Sequence, residues 1–475
     1  QNVVFAVFED LPAVMLKKTS ANSTVTNNNR MYSLAGAEYQ VYTDAACTVK
    51  AQAIIVENGK STGTTDAVLI TNANGTTNAL NLARGIYYIK ETKASPGYLL
   101  DTTVKQLDLR NYTNGASYVI SSTEKPVGDP AELVLTKTDS EGISMIKAGT
   151  DGNTVTTFGN ATLEGAVFKV SYYDDLYDSN SISGKTPKAV WYIQTRYIEQ
   201  DNTFVAALAP EYLATDYTNS DFYIIDGDRQ FPLGTVTYEE FRPASGYNNL
   251  DQGGVMTHAG GVAENNITIM QIRQNGSIAS AYVEDKTTNQ YTTNADGTRI
   301  HVYTTPQDST GITVREEIKR TDLAFVKVNY YTHEPMADVF FRITSSTGES
   351  HIIKTDANGY FTSDGAEISH LTNTNGYDDV YQVEDDSAAL ALGDCGVWFY
   401  GTDDQTEWNA ALIDDSKGAF RYDEEYVLEE LPCSANEGFE LLQPVTVSLT
   451  RDHRLTWAGS LYNVPEIKGR IRIYK

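Results

Sequence analysis

At 475 residues the chain is longer than one hydrophobic core usually serves, and length alone predicts about three domains. Its 63 acidic and 36 basic residues give a net charge of -27, which excludes nucleic-acid binding, because phosphate contacts need clustered cations. No apolar run approaches the roughly eighteen residues of a membrane helix, and 11% aromatic content with alternation throughout excludes a disordered chain.

The longest apolar stretches, such as Val3 to Phe8, are strand-sized. Helix signals are scarce. Period-2 runs such as Gly85 to Glu91, Val339 to Ile343 and Glu425 to Glu430 read as half-buried strands. Asn74-Gly75, Asp296-Gly297 and Asn358-Gly359 mark turns between such runs. The pattern predicts an all-β chain of sandwich type.

In chain order, the first copy of a repeat opens with Val14-x-Leu16-x-Lys18. It continues through Leu34-Ala35-Gly36-Ala37-x-Tyr39-x-Val41 and closes with Tyr87-x-Ile89-x-Glu91, then Gly97-Tyr98. The second copy runs Leu133-x-Leu135-x-Lys137, Leu163-Glu164-Gly165-Ala166-x-Phe168-x-Val170, then Val236-x-Tyr238-x-Glu240 with Gly246-Tyr247. The third runs Leu323-x-Phe325-x-Lys327, the looser Met336-Ala337-Asp338-Val339-x-Phe341-x-Ile343, then Tyr426-x-Leu428-x-Glu430 with Gly438-Phe439. Short junctions at Glu124 to Pro130 and Glu316 to Arg320 predict stiffly joined modules. The expected domains are 1–126, 127–318 with insertions, and 319–465. Residues 466–475 carry Ile471-x-Ile473-x-Lys475 and are read as the start of a truncated next domain. With no secretory or sorting signal at its ends, an exported protein would carry these residues as an internal piece.

Residues i, i+2 and i+4 of a strand share a face, so each lysine and each glutamate points with core residues. A charge there is costly unless paired or neutralised. A buried salt bridge or a snorkelling lysine stem is the plainer reading, and chemistry between the groups is the other.

The ordered lysine strand, Leu-x-Gly-Ala-x-Phe-like element and glutamate strand resemble the Cna B-type, or SpaA-type, isopeptide-forming domains of Gram-positive pilins and adhesins. The resemblance implies tandem antiparallel Ig-like β-sandwich domains. It also implies that a lysine amine attacks the side-chain carbonyl of an Asn, or less often an Asp, near the last strand, assisted by a carboxyl group. Leu461-Tyr462-Asn463-Val464-Pro465 resembles the family's terminal Asn-x-Pro, so Lys327, Glu430 and Asn463 form the complete triad of the third copy. Lys18 and Lys137 are the corresponding bond-forming lysines, and Glu91 and Glu240 the assisting acids. The acceptor place holds Glu124 in the first copy and Glu316 in the second. Those copies either use another Asn or Asp, or keep a Lys-Glu pair. Burial favours a neutral amine and a protonated carboxyl, the forms such a reaction needs, with the carboxyl hydrogen-bonding the amide oxygen.

The implied function is a structural stalk or pilus-like segment of an extracellular bacterial surface adhesin, anchored to the cell wall through parts outside this segment. Its partners would be neighbouring domains or subunits of the same fibre. The alternative is a ligand-binding adhesin, with a glycan or host-protein site in the second module, where Tyr172-Tyr173 and Trp191-Tyr192 are aromatic pairs. An enzyme is not expected, since the six histidines make no H-E-x-x-H and no Gly-x-Ser-x-Gly or P-loop occurs. No cofactor or metal is expected either. Asn294 to Gly297 and Asp356 to Gly359 have the residue types of a calcium-loop start without its closing glutamate, and read as turns. Cys47, Cys395 and Cys433 are too few for a disulfide framework, although Cys395 and Cys433 could pair in an oxidising compartment.

Overall fold

The computed structural model describes residues 11–466 apart from 143–146, 149–153, 156, 159–160, 258–262, 265–266, 285–290, 294–296, 298, 302–310, 422–424 and 450–454. The Val3 to Phe8 run, the Ile471-x-Ile473-x-Lys475 pattern and most of the Asn294 to Gly297 turn lie outside the described residues.

Twelve strands carry the repeat. They are β1 (Ala13–Ser20), β2 (Glu38–Tyr42), β3 (Ile86–Lys93) and β4 (Ser117–Glu124). Next come β5 (Val134–Asp139), β6 (Val167–Tyr173), β7 (Gly234–Arg242) and β8 (Ile312–Glu316). The last four are β9 (Arg320–Asn329), β10 (Phe340–Ser345), β11 (Glu425–Glu430) and β12 (Leu455–Pro465). Burial alternates as the sequence pattern predicts. In β1, Val14, Leu16 and Lys18 are buried, and in β11, Tyr426, Leu428 and Glu430.

Each set of four strands builds two facing sheets. The lysine strand lies beside the last strand in one sheet, and the other two pair in the second. The chain is thus all-β, as expected, with one departure from purely antiparallel sandwiches. The pairs β1–β4, β5–β8 and β9–β12 run parallel. Alternation specifies which face a side chain takes, not strand direction, so sequence could not distinguish the two. The second sheets pair antiparallel, and in all three an aromatic residue sits opposite the glutamate: Tyr39 and Glu91, Phe168 and Glu240, Phe341 and Glu430. The apolar faces close on one another as separate clusters, Val14, Leu16, Val41 and Ile89 in the first and Leu323, Phe325, Ile343 and Leu428 in the third.

The loose third copy has a local explanation. Gly36, Gly165 and Asp338 occupy one position, and all have positive φ, +85°, +84° and +56°. Aspartate tolerates this conformation better than most residues, and the Asp338 carboxylate pairs with Lys354 Nζ at 2.6 Å.

Extra length lies outside these strands. In the second copy it forms added strands, among them Ile278–Val283, which pairs with Thr268–Asn275 at the edge of the second sheet. In the third it includes two short helices, Tyr377–Val380 and Ser387–Ala391, packed with Phe340, Ile352 and Leu431. Helices of four and five residues span too little of a 3.6-residue period to show in a sequence pattern.

Contacts across the junctions are dense. Val25, Tyr32 and Tyr98 from the first copy join the apolar cluster of the second. Tyr32 donates to the Val127 carbonyl and accepts from the Leu233 amide. At the second junction Arg421 donates to Asp139 at 2.8 Å, both fully buried, and Arg320 pairs with Glu141.

Candidate functional site

Lysine and glutamate come from opposite sheets, so their heads meet across the core of each sandwich. Lys18, Lys137 and Lys327 have fully buried side chains, as do Glu91, Glu240 and Glu430. The last strand adds a third group. Lys18, Lys137 and Lys327 stand opposite Ser122, Val314 and Leu461, and two residues further on, on the same face, come Glu124, Glu316 and Asn463.

In the third cluster Lys327 Nζ lies 2.5 Å from Asn463 Oδ1 and 3.2 Å from Glu430 Oε2. Asn463 Nδ2 donates to Glu430 Oε1 at 2.5 Å. The carboxyl therefore contacts the amide nitrogen, where the expectation had it on the amide oxygen. Burial pushes the Lys327 amine below the ordinary lysine range, opposed by the nearby Glu430 charge.

In the second cluster Lys137 Nζ lies 3.0 Å from Glu240 and in direct contact with Glu316. Burial, and then the neighbouring Glu240, hold the Glu316 carboxyl well above the usual range. Burial also raises Glu240, but the Lys137 charge and hydrogen bonds from Glu316, Lys137 and the Leu250 amide outweigh it and leave it lowered.

In the first cluster Lys18 Nζ lies 3.0 Å from Glu91 and 4.0 Å from Glu124. Tyr39 and Ser122 hydroxyls donate to Glu124 Oε1 at 2.9 and 2.6 Å. Burial raises the Glu91 carboxyl. Among the described residues, the side-chain oxygens hydrogen-bonded or ion-paired to Lys18 and Lys137 belong to glutamates.

Sequence reasoning missed the clamps on the glutamates. A backbone amide beyond each glutamate strand donates to its Oε2: Asp101 to Glu91 at 2.6 Å, Leu250 to Glu240 at 2.8 Å and Leu442 to Glu430 at 2.8 Å. The Gly-Tyr and Gly-Phe turns precede those residues, so the repeated turn was the available signal. Asn436 also donates to Glu430, at 2.9 Å, with no counterpart in the repeat to mark it.

Other candidates resolve differently. Tyr172 and Trp191 lie in the core, leaving no free ring face for a sugar. Asp356 Oδ1 accepts from the Asn358 and Tyr360 amides and so closes a turn. Cys395 and Cys433 are unpaired, each packed on the Phe340 and Tyr377 cluster. Asp178, Glu284 and His301 have metal-ligand chemistry and lie together. Asp178 already accepts from Ser181 and the His301 amide, and Glu284 from Ser179, with His301 Nδ1 at 2.6 Å. These donors make the cluster a hydrogen-bonded knot.

Residues 19–126 match the SpaA family model, described as a prealbumin-like fold domain. No curated protein matches the chain. Similar solved structures include the Bacillus anthracis TIE protein, at 14% identity and TM-score 0.44 over 96% of this chain and 51% of that one. The chain thus spans about half the length of that protein. BcpA, the major pilin subunit of Bacillus cereus, is 12% identical with TM-score 0.29 over 96% and 99%. The major pilin SpaD from Corynebacterium diphtheriae is 13% identical with TM-score 0.22 over 98% and 99%.

Proposed function

We propose that the chain is a load-bearing segment of a bacterial surface stalk or pilus-like adhesin, built from domains 1–126, 127–318 and 319–465, with the third locked by an isopeptide bond between Lys327 and Asn463. The observation that carries this reading is the buried Lys327–Glu430–Asn463 triad, in which one carboxyl group touches both nitrogens. Glu430 takes one proton from the Lys327 ammonium and hands it to Asn463 Nδ2 as the free amine attacks Cγ, and it then keeps the second proton that Nζ loses as the amide forms. The Nζ–Cγ bond forms, the Cγ–Nδ2 bond breaks and ammonia leaves. The fold holds the groups together for one turnover, so the chemistry builds structure and is not enzymatic.

The parallel pairing gives the bond its mechanical purpose. Tension enters at the start of β9 and leaves at the end of β12, so it shears the pair. A bond from Lys327 to Asn463 carries that load past the intervening chain, a separation of 136 positions. Single-molecule pulling tests this. The unlinked variant Asn463→Ala should release about 450 Å of extra chain from that 136-position segment, and the wild type should not. Equal extension in both would defeat the proposal. The acidic surface suits an exported fibre that repels its copies, and neighbouring domains or subunits are its partners.

A further inference from the structure

We propose that the second unit carries a different cross-link, an amide between Lys137 Nζ and the Glu316 side-chain carboxyl, while the first unit keeps an ionic Lys18–Glu91–Glu124 cluster. The inference rests on the lysine chemistry proposed for the third unit and extends it to a glutamate acceptor.

Two positions decide the difference. Around the third acceptor, Asn463, stand Phe341 and Leu461. The second unit has Phe168 and Val314 in those places, and the first has Tyr39 and Ser122. Lys137 Nζ lies 5.8 Å from the Phe168 ring centre, matching 5.7 Å from Lys327 to Phe341. Glu316 thus occupies the acceptor place with Phe168 and Val314 where the first unit has hydroxyls. No backbone amide or hydroxyl among the described residues donates to either of its oxygens, and Lys137 touches it directly. In the first unit two hydroxyls donate to Glu124 Oε1, and the lysine lies 4.0 Å away.

That contrast bears on reactivity. A carboxylate stabilised by hydroxyl donors resists attack by an amine, whereas a buried carboxyl without such donors favours its neutral acid form. Burial and the adjacent Glu240 hold Glu316 in that form. Glu240, 3.0 Å from Lys137 Nζ, stands where Glu430 stands in the third unit. It takes one proton from Nζ and passes it to the departing hydroxyl as Nζ bonds to Glu316 Cδ, and it keeps the second proton that Nζ loses as the amide forms. One water leaves, and no oxidant or co-reactant is needed. The product removes an ammonium and two carboxyl groups' shared charge from an apolar core, where ions are costly to keep.

Protease digestion of the folded full chain with tandem mass spectrometry tests this. A linked peptide joining Lys137 to Glu316, one water lighter than its two segments, is expected, with Lys18 and Glu124 in separate peptides. Glu316→Gln should lose ammonia instead of water, so its folded mass should equal that of the wild type although the two sequences differ. Glu240→Gln should leave the segments unlinked. Recovery of Lys137 and Glu316 in separate wild-type peptides would overturn the proposal. The Lys327–Asn463 peptide in the same digest separates this failure from failure of the third-unit bond, and a Lys18–Glu124 link would refute the role given to the hydroxyls.

Discussion

Glu430 has a task that neither partner can perform for itself. Its two oxygens reach Lys327 Nζ and Asn463 Nδ2, while Leu442 and Asn436 hold the carboxyl in place. Replacing Glu430 by Ala should leave the lysine and asparagine unlinked. It should also strand a buried amine without its acid, costing about 3–5 kcal/mol. Mass and denaturant titration of that variant measure the two effects separately. An intact cross-link in Glu430→Ala would remove the carboxyl from the mechanism. The lysine and glutamate positions were legible in the sequence because their strands alternate cleanly, and Asn463 through its place before a proline. Tyr39 and Ser122 were not, since Tyr39 reaches Glu124 across the packed sheets and the Ser122 contact depends on side-chain rotamers, neither of which a local pattern encodes.

At the scale of elements, strand direction and the inserted helices escaped the sequence reading, while strand facing did not. The insertion of the third unit is pinned by a buried histidine. His351, on the strand Ser350–Lys354, sits 2.7 Å from Asp378 of the helix Tyr377–Val380 and 2.9 Å from Glu349. Burial alone would lower its pKa, but hydrogen bonds to Asp378 and Glu349 push it up to about 9, against 6.5 ordinarily. A raised folded-state pKa stabilises fully below the unfolded value. This contribution should be present below pH 6.5 and disappear as pH rises through about 9. Unfolding free energies measured from pH 6 to 10 should fall for the wild type and fall less for His351→Gln. Identical slopes would show that His351 is uncharged in the folded unit.

Across the whole molecule, the junctions share the core's construction. The sequence predicted stiffness from short linkers, and the structure adds buried ion pairs that bridge distant segments, such as Asp139 with Arg421. Arg421→Ala leaves Asp139 buried without its cation, which should cost about 3–5 kcal/mol and loosen the second junction, read by denaturation and small-angle scattering. Unchanged stability and shape would show that the pair bears no load. Within a unit, the proposed bond acts on the unfolded chain as well. Closing a 136-position loop contributes about 5 kcal/mol on the chain-entropy model. The central claim is that Lys327 and Asn463 are covalently joined, and the mass of the folded third unit within the full chain tests it most directly. A digest should yield the Lys327 and Asn463 segments as one peptide, lighter by one ammonia than their sum, and Lys327→Ala and Asn463→Ala should each abolish it. Separate wild-type segments at full sequence mass would contradict the account and leave a buried polar cluster in its place.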